Sequence, residues 1–485
     1  CNLRLLVKHL KSGVSVFLEY RNSFIPTEHA KNVASTMDKI LSEILTDPTR
    51  SVATINILSE RNRLQLERWN SAPLEDVQAT IHDKIYATVK QSPDQEAICS
   101  WDGSLTYQEL ARLADRLAAH LSHLGVGPEV IVPLCFDKSK WNVVAMLAVL
   151  VAGGAFLPLD PAYPEERIQH LVDATDAKVV LCSRSYMERL GTIADSVVAV
   201  DSTAFDAFGD VGIDVPHQSQ ASSRNAAYII PTSGTTGKPK LTLLEHGNFC
   251  TSAQGHVPGL MLDASTPVRV LQFAAHSFDA SLIEILTPLM IGGTVCIPDE
   301  QTRVNDVAKV INEMRVNHAL LTPTFVRFLQ PSMVPTLATI VLMGEPMTQS
   351  CLETWSKINL VNGYGPSECA VSSVSNPRMT ASSDPKNIGY STSCRAWVVN
   401  PSNQHQLVPV GCVGELLLEG HIAGRCYLHD EEKSAKSFIT NVEWANGRPF
   451  RGYLTGDLVS QNLDGSLSIV GRKDNQVVCN RVQIL

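Results

Sequence analysis

Short apolar runs recur between helix-patterned segments, and this alternation limits the fold more than any other feature. The runs read VIVPLCF, KVVLCS, SVVAVD, AAYIIPT, TVCIP and TIVLMG. Strands alternating with helices argue for an α/β domain with largely parallel sheets. Among the helical segments, LTYQELARLADRLAAHLSHLG places Leu110, Leu113, Ala114, Leu117, Leu121 and Leu124 on one face, with Gly125 as a C-terminal stop. From about residue 410 the texture changes to GELLLEG, GYLTGDLV and GSLSIVGRKD, shorter β-rich structure with glycine turns. The chain has 485 residues, too many for one compact core, so roughly two to four domains or subdomains are expected.

Other segments set boundaries. Residues 14–20, VSVFLEY, alternate like a strand. Residues 27–45 repeat apolar positions at helical spacing after Pro26, with Thr27 as the expected N-cap and Asp47-Pro48 as the stop. Residues 58–80 are polar and read as a linker. The stretch NVVAMLAVLVAGGAFLPL, 142–159, is near the minimum length for a membrane span but contains Gly153, Gly154 and Pro158. It reads instead as a buried helix, a glycine turn and a buried strand.

Composition excludes some classes. Apolar residues make up 44%, charged residues 18%, and the net charge is -9, which is globular rather than disordered. No basic run offers an electrostatic footprint for nucleic acid. None of the twelve cysteines forms a CxxC pair, so free thiols in a reducing, cytoplasmic setting are expected rather than a zinc or disulfide framework. The chain starts at Cys1 and no signal peptide is read there, so a monomeric piece of a longer protein is expected.

The chemistry centres on IIPTSGTTGKPKL, 229–241. Thr232, Ser233, Thr235 and Thr236 supply hydroxyls, Lys238 and Lys240 supply charge, and Gly234 and Gly237 permit close approach. A P-loop needs GxxxxGK[ST]; here the glycines are three apart and Pro239 follows Lys238, so the helix-dipole cradle of the P-loop enzymes does not fit. A phosphate loop of another kind is the reading.

That loop resembles the phosphate loop of adenylate-forming enzymes, and specifically of nonribosomal peptide synthetase adenylation domains. LTYQEL, LVAGGAFLPLDPAYPEERI, FDAS, NGYGPSE, GELLLEG, YLTGDL and GRKDNQV look like that family's other core motifs, in order. The resemblance covers roughly residues 80–477. It implies two α/β sheet subdomains, a β-rich distorted barrel and a small C-terminal subdomain. Residues 1–60 resemble the tail of a condensation domain, 61–80 the linker, 81–472 the adenylation core, and 473–485 a hinge with a remnant of the small subdomain. The rest of that subdomain, with its catalytic lysine, is expected to be missing from this chain, leaving it slow.

The resemblance also implies the reaction. An amino-acid carboxylate is activated with Mg·ATP to an aminoacyl-AMP, pyrophosphate leaves, and the acyl group passes to the phosphopantetheine thiol of a carrier domain. Thr232, Ser233, Gly234, Thr235, Thr236, Gly237 and Lys240 would hold phosphates, and Glu368 would bind magnesium; Thr232, Lys240 and Glu368 would be catalytic. Tyr364 would stack on adenine beside Gly363, and Asn362 would read its amine. Asp457 and Arg472 would reach the ribose, and Asp474 would sit at the hinge. Asp279 would pair with the substrate α-ammonium, inside walls made by Ala280, Ile283, Leu320, Val341, Met343, Gly363, Val371 and Ser372. That set favours a neutral side chain, apolar or large and modified, such as an acylated hydroxyornithine of a fungal siderophore. Pro231, Leu241 and Ile469 depart from the family pattern. A stand-alone acyl-CoA or aryl-acid ligase and a catalytically silent scaffold module are the alternatives.

Overall fold

The computed structural model describes residues 3–11, 13–207, 219–232, 239–262, 267–474, 477–479 and 482–484. The chain divides into two compact units. The larger comprises Leu74–Cys394, Gly420–Phe438 and Gln476–Leu485; the smaller comprises Cys1–Pro73, Arg395–Glu419 and Ile439–Asn475.

Among the described residues the larger unit holds two large sheets and a two-stranded ribbon, Val477–Cys479 on Val482–Ile484. The first runs Cys426–Tyr427, Lys240–Glu245, Ala226–Thr232, Ala155–Leu159, Ile131–Cys135, Val179–Cys182, Ser196–Ala199. Its last five strands are parallel, and Lys240–Glu245 turns back antiparallel on Ala226–Thr232. Every residue of Ile131–Cys135 and of Ala155–Leu159 is buried, as parallel strands covered on both faces should be. In the second sheet, Asn359–Tyr364, Thr339–Leu342, His318–Leu321, Arg269–Leu271, Thr294–Ile297 and Glu96–Ser100 pair in parallel in that order. Antiparallel strands flank this set: Val374–Asn376 and then Asn387–Ser391 beyond Asn359–Tyr364, and Leu105–Thr106 beyond Glu96–Ser100.

Helix Tyr107–His123 follows the sequence reading closely. Thr106 and Glu109 form a capping box, satisfying two backbone donors that the first turn leaves open. Leu110, Ala114, Leu117 and Leu121 are buried, each leucine worth roughly 1.5–3 kcal/mol against exposure. The 142–159 stretch is helix Lys140–Val151, a glycine turn and strand Ala155–Leu159. The turn is tight: a Cβ on Gly154 would lie 2.8 Å from Val126 Cγ1 and 3.0 Å from the Val130 carbonyl oxygen. Among the described residues no helix is long and apolar enough to cross a membrane.

In the smaller unit five antiparallel strands follow the order Asn403–Leu407, Arg395–Asn400, Val413–Glu419, Gly452–Gln461, Leu467–Arg472. They form an open run and not the distorted barrel expected from the resemblance. The apolar face that a barrel would turn inward is covered by a helix, with Leu66 packed among Trp397, Val399, Leu417 and Phe450. That helix, Glu60–Trp69, lies within the stretch read as linker. Ser59 caps it, the buried Asn62 accepts from the Val410 amide at 3.0 Å, and Asn70 bonds both the amide and the carbonyl of Ala396. Residues 3–20 form a hairpin, Leu3–Leu10 on Gly13–Tyr20. Helix Thr27–Thr46 starts one residue earlier than expected: Pro26 holds the cap position, and Thr27 Oγ1 donates to Asn22 instead.

Candidate active site

Strand Ala226–Thr232 and strand Lys240–Glu245 meet with Lys240 opposite Thr232 and Leu241 opposite Pro231. The glycine-rich loop is therefore the connection of an antiparallel hairpin, not the lead into a helix. Ser233, Gly234, Thr235, Thr236 and Gly237 lie outside the described residues. The ends explain one oddity. Leu241 is buried with Ile229, Leu157 and Leu243, so its side chain belongs to a core and not to the loop. Thr232 Oγ1 is buried and has no hydrogen-bond partner among the described residues, which leaves a polar atom at the loop's root for a ligand to satisfy.

Beside the loop stands a residue that sequence reading missed. Tyr427 lies on the two-residue strand Cys426–Tyr427, which pairs with Thr242 and Leu243. Lys240 Nζ sits 5.1 Å from the centre of its ring, and its hydroxyl donates to Glu368 Oε1 at 2.8 Å. Tyr427 thus ties the loop's return strand to the carboxylate expected to hold magnesium. The Gly424 amide fixes the same turn, donating to the Glu368 carbonyl at 2.7 Å. A lone tyrosine in a two-residue strand has no periodicity and no motif, so no sequence signal marked it.

The NGYGPSE motif forms a hairpin with the strand after it: Asn362, Gly363 and Tyr364 pair with Asn376, Ser375 and Val374. Asn362 is buried and donates to the carbonyls of Pro385 and Asn387, which orients its acceptor oxygen. Ala370 and Val371 adopt φ of 51° and 74°, a costly conformation for a β-branched side chain. Gly365 makes that fold-back possible, since a Cβ there would stand 2.2 Å from the Val371 carbonyl oxygen.

Asp279 stands at the start of helix Ala280–Ile291. Burial pushes its carboxyl up to about 6, and the Glu368 carboxylate adds to this, while the Ser367 hydroxyl and the Ala280 amide pull the other way. The expected pocket walls gather in one apolar cluster containing Ile283, Leu320, Val341, Met343 and Val371, with Ala280 packed against it. Gly363 belongs there too: a Cβ on it would meet Val341 Cγ1 at 3.2 Å and Met343 Sδ at 3.5 Å. Ser372 is fully buried, and its hydroxyl has no partner among the described residues.

The smaller unit carries its own cluster. Arg472 Nη1 donates to Asp457 at 3.0 Å and to the Thr455 carbonyl at 3.0 Å, and its other nitrogens grip Asp474 at 2.9 Å each. Burial opposes the guanidinium charge, but Asp474 and Asp457 prevail and raise its pKa. Gly456, at φ 74°, leaves room for this arginine: a Cβ would lie 2.8 Å from Arg472 Nη2.

Residues 85–428 match the model of the family described as AMP-binding enzyme. The chain belongs to the AMP-binding enzyme family. The matched span takes in the loop, Asp279, Glu368 and Tyr427. Similar proteins are nonribosomal peptide synthetases of fungi. Nonribosomal peptide synthetase 1 of Aspergillus fumigatus is 48% identical over 481 residues, 98% of this chain and 8% of that protein. Nonribosomal peptide synthetase 4 of Gibberella zeae is 45% identical, over 98% of this chain and 6% of that protein. N-benzoylphenylalaninol synthetase apmA of Penicillium brevicompactum is 40% identical, over 96% of this chain and 20% of its own length. The chain thus spans only a small part of these relatives. Among solved structures, the nonribosomal peptide synthetase FmoA3 in its alpha-methyl-L-serine-AMP bound form superposes with a TM-score of 0.84 at 24% identity, over 98% of this chain and 54% of that one. That likeness is one of fold.

No three His, Cys, Asp or Glu side chains cluster as a metal site among the described residues. Magnesium needs no such cage, since it commonly takes one or two carboxylates and completes its shell with phosphate oxygens and water. Glu368, held by Tyr427, fits that role.

Proposed function

We propose that this chain activates an amino-acid carboxylate with ATP, as the adenylation part of a nonribosomal peptide synthetase. The observation that carries the reading is the grouping of Asp279, Ser367 and Glu368, with Tyr427 linking Glu368 to Lys240. One carboxylate there suits an α-ammonium and the other a phosphate-bound cation. The substrate carboxylate oxygen attacks the α-phosphorus, its P–O bond forms as the bond to the β-phosphate oxygen breaks, and pyrophosphate departs. Lys240 and the Thr232 hydroxyl would steady the departing phosphates, where negative charge grows. Magnesium bound by Glu368 would neutralise phosphate charge and so ease approach of an anionic nucleophile. Asp279 would hold the ammonium end, orienting the carboxylate and rejecting substrates without the amine. For Asn362 and Tyr364 the assignment is adenine, for Asp457 and Arg472 the ribose, and for Asp474 a hinge; these rest on their motifs. Transfer to a carrier-domain phosphopantetheine thiol, and a condensation domain to which residues 1–60 contribute, belong to the same proposal. The neutral pocket favours an apolar or a large modified neutral side chain.

The test is amino-acid-dependent exchange of pyrophosphate into ATP by the longer protein that carries this segment, across a substrate panel that includes acylated hydroxyornithines. Exchange with one or a few α-amino acids is expected. Equal exchange with a des-amino analogue would support an acyl or aryl acid ligase, and no exchange with any substrate a silent module.

Tyr427→Phe keeps the ring near Lys240 and deletes the bond to Glu368. A hydrogen bond to a charged group contributes about 1.5–3 kcal/mol. The magnesium concentration for half-maximal exchange is therefore expected to rise several-fold, with the amino-acid KM little changed. An unchanged magnesium dependence would remove Tyr427 from the site.

A further inference from the structure

Two cysteines far from one another in sequence stand side by side in the second sheet. Cys296, on Thr294–Ile297, pairs in register with Cys99, on the parallel strand Glu96–Ser100. Opposed residues of neighbouring strands project to the same face. Their Cα atoms are about 4.8 Å apart by strand spacing, inside the range of roughly 4.4–6.8 Å that a disulfide spans. The two thiols are near enough to shift one another's titration. Their exposure differs: Cys296 is buried and Cys99 is only half-buried, open to a small reagent.

Charge separates the two further. Arg269 lies close enough for its guanidinium to act on both thiols; it is anchored by Glu96 at 2.7 Å and by the Met314 carbonyl at 2.8 Å. The neighbouring Cys296 thiol draws the Cys99 thiol down to about 7, and Arg269 helps, against burial and the Glu96 carboxylate. The neighbouring Cys99 thiol and burial push the Cys296 thiol upward. Cys296 Sγ donates weakly to the Met314 carbonyl at 3.8 Å. The half-buried thiol is thus the more acidic of the two, and the buried one the less acidic.

We propose that Cys99 and Cys296 form a hydroperoxide-reactive dithiol site, with Cys99 as the nucleophile and Cys296 as the resolving thiol. The Cys99 thiolate attacks the terminal oxygen of a hydroperoxide. The S–O bond forms, the O–O bond breaks, and the alkoxide takes a proton and leaves as alcohol or water. Cys99 is now a sulfenic acid. Cys296 then attacks this sulfur; its proton goes to the sulfenic oxygen, the S–S bond forms, and water departs. Two thiols are oxidised and one hydroperoxide is reduced.

The test treats the full chain with hydrogen peroxide at pH 7, alkylates the remaining thiols and maps peptides without reductant. A Cys99–Cys296 cross-link is expected, forming at least tenfold faster than any oxidation of Cys412, which is more exposed but whose thiol is raised by burial. In Cys296→Ala the Cys99 sulfenic acid should persist and be trapped by dimedone. The wild-type map alone can overturn the proposal: Cys99 reacting no faster than Cys412, or Cys99 oxidised with no link to Cys296, would do so. Neither result depends on adenylation activity.

Discussion

Asp279→Asn will raise the KM for the α-amino acid substrate by roughly 10- to 200-fold, with a smaller change in kcat. The factor corresponds to the roughly 1.5–3 kcal/mol of a hydrogen bond to a charged group. The effect belongs in KM because the ammonium pair exists in the ground state as well as in the transition state. The pH profile gives a second reading. Asp279 titrates at about 6, so in the wild type KM should climb as pH falls through that value and the carboxylate takes up its proton. The Asn variant should show no such climb.

Stability moves in the opposite sense. A carboxyl raised above its unfolded value of 3.8 binds its proton more tightly when folded. Its ionised form is a cost to the fold above about pH 6 that is relieved on acidification. The Asn variant should therefore melt no lower than the wild type at pH 7.5. A variant with unchanged KM would remove Asp279 from substrate recognition, and one that melts lower would show that its role is structural.

Gly365→Ala is the second large effect. The new Cβ would stand 2.2 Å from the Val371 carbonyl oxygen, 2.8 Å from its carbon and 2.9 Å from Ser372 Cα. All three are backbone atoms, so no rotamer change relieves the clash. Val371 already sits at φ 74° and has little room to retreat. Overpacking of this kind costs about 1–3 kcal/mol, and here the strain falls on the turn that carries Val371 and Ser372. The variant should unfold several degrees lower and lose amino-acid selectivity. Gly127→Ala is the control, because a Cβ there meets nothing within 4 Å. Thermal denaturation of the two variants side by side decides the matter: matching curves would mean that the 365–373 turn is soft.

Legibility in the sequence followed the source of each element's stability. Helix Tyr107–His123 announces itself because an apolar stripe and a capping box both act within a few residues of one another. The helix-turn-strand of 140–159 is equally plain, since full burial demands an unbroken apolar run. Helix Glu60–Trp69 is hard to read because its apolar contacts are few and its Asn62 and Asn70 bond to backbone more than 300 residues away. Composition cannot distinguish an asparagine that docks from one that is solvated. The barrel expected for the β-rich stretch comes from the resemblance, since alternation gives a strand's faces but not whether the last strand meets the first. Lys240, Glu368 and Asp279 stand in motifs that the family resemblance picks out, whereas Tyr427 stands in none and is placed beside Lys240 only by the fold.

The discontinuity of the smaller unit has a consequence for synthesis on the ribosome. Its first stretch ends at Pro73 and its next begins at Arg395, so 321 residues (74 to 394) separate them. At roughly 5–20 residues per second, the early stretch waits about 16–64 s for its partners. Leu66 and Trp69 emerge long before the strands that cover them. During that interval the larger unit can begin to fold, while Leu66 and Trp69 wait for the strands that cover them.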